Sequence, residues 1–206
     1  MKTLTSASLI GAFALTAALT GCSSPEEPTS ETSPEQAEAG EEVSAEYNDA
    51  DVEYISGMIA HHQQAFEMSG TVLEKDEVEP EVAVLAGDIR EAQGPEIQQM
   101  ESWLDSWGAS DRRDMEDMDH GDMGDGQMEH EGMMSEEELA DLEESTGTEA
   151  SRMFLEQMIV HHAGAVSSAE QHLQEGENSE ALELSESIIA DQQAEIDHME
   201  ELLANF

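Results

Sequence analysis

Two pairs of adjacent histidines are the residues of this chain best suited to bind a metal ion. His61-His62 and His161-His162 each follow a Met-Ile pair, and the two motifs are 100 residues apart. Imidazole is the commonest protein ligand for transition metals. Because the motif occurs twice, the sequence predicts a duplicated unit with one histidine doublet in each copy.

A second repeated motif adds carboxylates to the predicted site. The stretch from Gln93 to Met100 recurs from Gln192 to Met199, at an offset of 99 residues. At about 100° per residue, a glutamate in each stretch falls on an otherwise apolar helix stripe. Burying a carboxylate is costly unless a partner satisfies it, and inward-facing histidines could do so. The predicted ligands of the bundle are Met58, His61, His62, Glu96, Met100, Met158, His161, His162, Glu195 and Met199.

Two interpretations of these residues follow from the pattern alone. In the first, His and Glu side chains from paired helices bind a metal ion. In the second, a hydrogen-bond network of His, Glu and Gln fixes the register of the helices without any metal. The isolated histidines His172 and His198 are each expected to be structural.

An insert between the two copies, from Asp111 to Met134, carries soft donors and lacks Leu, Ile, Val and Phe. The donors are Met115, Met118, His120, Met123, Met128, His130, Met133 and Met134. From Met118 to Met133 the methionines recur every five residues, which fits neither a helical stripe nor a strand, so they are not predicted as core. Thioether sulfur favours Cu(I) and imidazole serves both copper oxidation states. The insert is therefore predicted to bind copper, the alternative being adaptable hydrophobic contacts.

Four helices must position these groups. Apolar residues recur at helical spacing over residues 51–73, 80–107, 148–174 and 179–204, with turns at 75–79 and 175–178. Helices of roughly 25 residues would each be about 37 Å long. The predicted fold is all-α, an antiparallel four-helix bundle built from two repeated hairpins.

The N-terminus reads as an export signal. Lys2 precedes an apolar run from Leu9 to Leu19 that ends in Leu19-Thr20-Gly21-Cys22, the pattern of a lipoprotein signal peptide over residues 1–21. The run is too short to span a membrane. Cys22 is the predicted lipidation site, residues 22–47 a disordered tether, and residues 48–206 the bundle with its insert at 111–134. The expected location is the outer face of the cytoplasmic membrane, or the periplasm or outer membrane.

The charge of the chain limits its partners. It holds 50 acidic and 6 basic residues, a formal net charge of -44. Such an excess excludes nucleic acid and anionic lipid surfaces as electrostatically favoured partners, which leaves the lipid anchor as the predicted membrane contact. Most of the carboxylates are interpreted as a solvated surface.

The repeated motifs also resemble a known family. The first copy reads Asp51-x-x-Tyr54-x-x-x-Met58-Ile59-x-His61-His62-x-x-Ala65-x-x-Met68, then Gln93-x-x-Glu96-Ile97-x-x-Met100-x-x-Trp103-Leu104. Over about residues 48 to 206 the chain resembles the bacterial family catalogued as domain of unknown function 305. The resemblance implies a ferritin-like four-helix fold, frequent export as a lipoprotein and, for some members, copper binding and copper tolerance. The second copy departs from the pattern at Ser151 and Ser168.

Three functions are weighed against these features. The leading hypothesis is an exported, membrane-anchored protein that sequesters Cu(I) or Cu(II) or transfers it to a partner protein, without enzymatic turnover. The second is a di-iron or di-manganese oxidase, which needs two Glu-x-x-His motifs. Only Glu195-x-x-His198 matches, because the first copy reads Glu96-x-x-Gln99. The third is a structural or interaction bundle that binds no metal cofactor.

Overall fold

The fold is a bundle of long helices. A computed structural model describes residues 46–110 and 132–206, all within one compact unit. Over those residues the chain forms helices and no strand: α1 (Asp49–Leu73), α2 (Pro80–Trp107), α3 (Glu136–Glu144), α4 (Gly147–Glu175) and α5 (Ser179–Leu203). None of these described helices is both long and apolar enough to cross a membrane. The predicted four-helix bundle is confirmed, and the short α3 is an element that the sequence analysis did not predict.

Local signals explain where the long helices begin and end. At the start of α1, the Asn48 side chain accepts a hydrogen bond from the Asp51 amide and the Asp51 carboxylate accepts one from the Asn48 amide, forming a capping box. Proline occupies the first position of α2, where its missing N–H costs nothing. The helix ends at Gly108, whose φ of 66° lies in the left-handed region that favours glycine.

The four long helices form two hairpins that meet along one seam. Within the hairpins α1 packs on α2 and α4 packs on α5, and the hairpins are joined by the contact of α1 with α4. The two seam helices are antiparallel, since Asp51 at the start of α1 contacts His172 near the end of α4. At the opposite end, Ser151 Oγ accepts a hydrogen bond from the Glu79 amide in the turn between α1 and α2. Helix α3 contacts both seam helices.

The apolar core consists of two clusters. One lies toward the end of α1 and includes Ala65, Leu85, Phe154 and Met158. The other lies toward its beginning and includes Ile55, Met58, Trp103 and Ala165. On α1 the His61-His62 doublet lies between Met58 of one cluster and Ala65 of the other, and on α4 the second doublet lies between Met158 and Ala165. The histidines therefore form a layer across the middle of the bundle.

A buried polar cluster of Asp51, His172 and Ser185 fastens the start of α1 to the turn between α4 and α5. His172 Nε2 lies 2.9 Å from Asp51 Oδ1, and His172 Nδ1 lies 2.8 Å from Ser185 Oγ. The Asp51 carboxylate also accepts hydrogen bonds from the backbone amides of Glu177 and Asn178. Burial acts to raise the pKa of Asp51, but its hydrogen bonds hold that pKa below the usual value.

Candidate metal-binding site

Each hairpin pairs the second histidine of its doublet with the glutamate of its partner helix. His62 Nε2 lies 2.8 Å from Glu96 Oε2, and His162 Nε2 lies 2.7 Å from Glu195 Oε2. The imidazoles are completely buried, whereas the two carboxylates retain 26% and 24% of their side-chain exposure. The predicted contact between the His and Glu motifs is confirmed in both copies.

The His–Glu pairing determines which ring nitrogen faces the interior. A carboxylate can only accept, so Nε2 of His62 and of His162 carries the proton that is donated to glutamate. The Nδ1 atom then keeps its lone pair. In neither residue does Nδ1 have a hydrogen-bond partner among residues 46–110 and 132–206. A carboxylate on one imidazole nitrogen with the other nitrogen available is the arrangement that orients metal-binding histidines.

The first histidines of the two doublets meet at the seam between α1 and α4. The ring centroids of His61 and His161 are 3.7 Å apart, with 43° between the ring planes. Both rings are buried, and neither nitrogen of His161 has a hydrogen-bond partner within the described part of the chain. Burial, followed by the neighbouring His61, His162 and His62, lowers the pKa of His161 well below its usual value. His161 is therefore neutral and can donate an electron pair.

Four methionines lie in the two core clusters on either side of the histidine layer. Met58, Met100, Met158 and Met199 are all buried, two in each core cluster. Over the described ranges, no three side chains of His, Cys, Asp or Glu group as a metal site. The closest approach of two described histidines from different helices is that of His61 and His161. A thioether is the neighbouring soft donor that could complete a site of low coordination number, which suits Cu(I).

The structure describes two of the predicted donors of the insert. Met115, Met118, His120, Met123, Met128 and His130 lie outside the described residues. Met133 is half-buried, and Met134 is buried in the core cluster that also holds Met158. The prediction that methionines stay out of the core applies to Met118 to Met133 and does not extend to Met134, which packs on the bundle.

The two isolated histidines have different surroundings. His172 is buried, and its ring stacks on Tyr54 with 4.0 Å between centroids in addition to its bonds to Asp51 and Ser185. His198 is exposed on α5. The Glu195-x-x-His198 motif therefore directs only its glutamate toward the histidine layer.

Gln93 and Gln192 belong to the two repeated stretches, and their Oε1 atoms are buried without a hydrogen-bond partner among the described residues. Sequence reasoning missed a different part of the polar interior. Asp51 and Ser185 were not predicted as partners of His172. A comparison of the two copies could have indicated this pairing. Val72 occupies the position equivalent to His172 and Ala86 the position equivalent to Ser185, so both positions are polar in the second copy only.

Known proteins resemble the chain in sequence and in structure. The family model described as "Domain of unknown function (DUF305)" matches residues 51–203. A DUF305 fragment from Deinococcus radiodurans is 31% identical, with a TM-score of 0.64, and the match covers 77% of this chain and 98% of that one. A DUF305 protein from Streptomyces coelicolor is 30% identical, with a TM-score of 0.63 and coverage of 76% and 91%.

A third similar structure holds a metal. CopM in its Cu(I)-bound form is 30% identical to this chain, with a TM-score of 0.58, and the match covers 75% of this chain and 96% of CopM. Structures of CopM with Cu(II) and with Ag are also similar. No curated protein sequence matches the chain.

Proposed function

The chain belongs to the DUF305 family, and on that premise we propose that it is an extracytoplasmic copper-binding protein. The histidine layer carries the proposal. Four imidazoles from α1 and α4 lie in one layer across the middle of the bundle, and buried nitrogen atoms of His62, His161 and His162 lack a hydrogen-bond partner in the described part of the chain. Buried nitrogens without partners cost free energy in the metal-free protein, and a bound cation would satisfy them.

Copper is the metal that this donor set fits best. The layer offers neutral imidazole and buried thioether, and the insert adds six methionines and two histidines in sequence. These donors favour Cu(I), and imidazole also accepts Cu(II). The copper-bound structures of CopM, at 30% identity, support the same assignment. In this arrangement Glu96 and Glu195 orient His62 and His162 through their Nε2 atoms.

The competing functions are less well supported by the geometry. A dinuclear oxidase would need inward Glu-x-x-His motifs on two helices, and the histidine of the only matching motif is exposed. A purely structural network would leave fewer buried nitrogens unsatisfied than His161 and the two Nδ1 atoms do. The protein therefore binds copper and either stores it or transfers it to a partner protein, without turnover.

Export and anchoring belong to the same proposal. The signal over residues 1–21 directs the chain out of the cytoplasm, and lipidation of Cys22 holds it at a membrane through the 22–47 tether. Replacement of Cys22 by alanine is expected to move the protein from the membrane fraction to the soluble fraction of the cell. Retention of the variant at the membrane would contradict the anchor.

Metal selectivity tests the proposed function. The purified protein would be loaded anaerobically with Cu(I), Ag(I) or Fe(II) and examined by native mass spectrometry after desalting. We expect Cu(I) and Ag(I) to be retained and iron to be lost. Failure to retain Cu(I) and Ag(I) would support the structural network instead, and an iron-loaded form that reacts with oxygen would support the oxidase.

A further inference from the structure

The segment Gly132–Ser135 crosses the seam between α1 and α4, and we call it the strap. On one side, the Gln64 side chain both donates a hydrogen bond to the backbone of Met134 and accepts one from it. The Met134 amide donates to Gln64 Oε1 at 2.7 Å, and Gln64 Nε2 donates to the Met134 carbonyl at 2.9 Å. A side-chain amide that satisfies both polar groups of one residue fixes the strap on α1 without any charge.

On the other side the strap lies directly on the backbone of α4. A Cβ atom at Gly132 would lie 2.6 Å from the Val160 carbonyl oxygen and 3.0 Å from both the His161 carbonyl oxygen and the Gly164 Cα. Gly132 also has a φ of 87°, a conformation in which a side chain is strained. Glycine at this position is therefore what permits the close contact with the residues around His161.

The internal repeat is asymmetric at the place where the strap docks. Gln64 and Gly164 occupy equivalent positions, each three residues after the first histidine of its doublet. In one copy the position supplies the amide that binds the strap, and in the other it has no side chain, which leaves room for Gly132. Both departures from symmetry serve the same contact, and both lie one helical turn from the His61–His161 pair.

The strap also packs on the core next to the histidine pair. Met134 is buried and joins the core cluster that contains Ala65 and Met158. Ala65 lies three residues after His62, and Met158 lies three residues before His161. His61 and His161 are themselves buried, with 3% and 0% of their surface exposed. In sequence, Gly132, Met133 and Met134 of the strap are the last three residues of the methionine-rich insert.

From this geometry we propose that the strap is a gate over the His61–His161 pair, and that Gln64 and Gly132 control how often it opens. This inference rests on the proposed copper-binding function. A soft monovalent cation reaches the seam when the Gln64–Met134 hydrogen bonds break and the strap lifts from α4. We expect the gate to act on rates, because neither Gln64 nor Gly132 is a proposed ligand of the cation.

Copper transfer kinetics test the gate. Uptake would be followed as the loss of the Cu(I)–bicinchoninate absorbance on mixing with the purified protein, and release as its return with excess bicinchoninate. With wild-type protein, the uptake rate is expected to level off at high chelate concentration, at the opening rate of the strap. Replacing Gln64 by alanine removes two hydrogen bonds and should raise both the uptake and the release rates roughly 10-fold, with the affinity unchanged.

The matched control is Gln157→Ala. Gln157 also anchors the α3 region, donating through Nε2 to the Glu138 carbonyl at 2.9 Å, while its Oε1 has no hydrogen-bond partner in the part of the chain that the structure describes. We expect this variant to keep the wild-type rates. Equal rates in Gln64→Ala and Gln157→Ala would overturn the gate.

A second pair of variants separates the gate from copper binding itself. Gly132→Ala should displace the strap from α4, whereas Gly108→Ala introduces a similar backbone strain, at a φ of 66°, where an added Cβ would contact nothing. The readout is carbethoxylation of His61 and His161 by diethyl pyrocarbonate in the metal-free protein, with exposed His198 as the internal standard. Faster modification in Gly132→Ala alone would support the gate, and equal modification in the two variants would overturn it. A wild-type protein that takes up no Cu(I) would contradict the proposed function while leaving this assay of the gate intact.

Discussion

At the residue scale, the second histidines of the doublets, His62 and His162, differ from the first histidines, His61 and His161, in the hydrogen bonds of their ring nitrogens. Nε2 of His62 and of His162 is bound by glutamate, which leaves Nδ1 as the donor atom. His161 has no hydrogen bond to either nitrogen among the described residues. Sequence periodicity could predict that all four rings face inward. It could not predict that His61 meets His161, because that contact depends on how the two hairpins are packed together.

The His–Glu pairs lead to a prediction about affinity. The carboxylate hydrogen bond orients the imidazole and raises the basicity of its other nitrogen. Replacing Glu96 or Glu195 by glutamine weakens that hydrogen bond. We expect each substitution to lower Cu(I) affinity by about 10-fold or more, measured by anaerobic competition with bicinchoninate. The control is Glu91→Gln, an exposed position on α2 that should leave the affinity unchanged. Identical affinities in all three variants would show that the pairs serve the fold alone.

The lowered pKa of His161 leads to a prediction about pH. An ordinary histidine, with a pKa near 6.5, must lose its proton before it binds a metal in mildly acidic solution. Because burial and the neighbouring histidines hold the pKa of His161 well below that value, it is already neutral. The ring resonances of His161 in NMR spectra of the metal-free protein, assigned by comparison with His161→Asn, should therefore stay constant from about pH 7.5 to 6. A titration of His161 with a midpoint near pH 6.5 would contradict this environment.

At the element scale, different residues fasten the start of a seam helix to the turn of the other hairpin at the two ends of the bundle. At one end Asp51, His172 and Ser185 fasten the start of α1 to the turn between α4 and α5. At the other end the equivalent positions are Ser151, Val72 and Ala86, and Ser151 alone accepts the amide of Glu79 from the turn. The end of the bundle at Ser151 is therefore fastened without an ionisable cluster.

This asymmetry predicts a pH-dependent contribution to stability. Burial lowers the pKa of folded His172 below its usual value, and Asp51 offsets only part of that effect. The unfolded chain then takes up the proton first, so stability is complete above about pH 6.5 and decreases as the pH falls below it, by up to about 1.4 kcal/mol per pH unit. The contribution of Asp51, whose pKa is also lowered, is lost only below about pH 4.

Urea unfolding of a triple variant measures the contribution of His172 to stability. The triple variant Asp51→Ser, His172→Val and Ser185→Ala copies the opposite end of the bundle into this one. Between pH 7.5 and 5.5 its free energy of unfolding should decrease less than that of the wild-type protein. The control His198→Ala removes an exposed histidine and should keep the wild-type slope. The same slope in the wild-type protein and the triple variant would exclude a role for His172.

The elements were predictable to different degrees. The four long helices carry apolar residues at helical spacing, and their ends coincide with Asn48, Pro80 and Gly108, so they could be predicted closely. Helix α3 could not. Its sequence EEELADLEE is short and acidic, with an apolar surface limited to two leucines and an alanine. Such a helix is stable only through tertiary contacts, here the burial of Leu142 against the core.

At the scale of the whole molecule, the bundle holds a layer of weakly basic nitrogens inside a strongly acidic chain. The formal net charge of -44 raises the concentration of cations near the surface, but it does not choose among them. In the proposed function the choice is made in the interior, where imidazole and thioether are the donors that favour Cu(I). Composition could predict the first property. The second required the structure, because only the packing of the two hairpins brings both doublets into one layer.

The most direct test of copper binding by this layer is an anaerobic Cu(I) competition titration of the wild-type protein beside His161→Asn, with His198→Asn as control. His161 lies at the centre of the layer, whereas His198 is an exposed histidine on α5. We expect His161→Asn to bind less Cu(I) than the wild-type protein, the remainder being held by the insert, while His198→Asn matches the wild type. Indistinguishable titrations of His161→Asn and the wild-type protein would contradict the assignment of the histidine layer as a copper site.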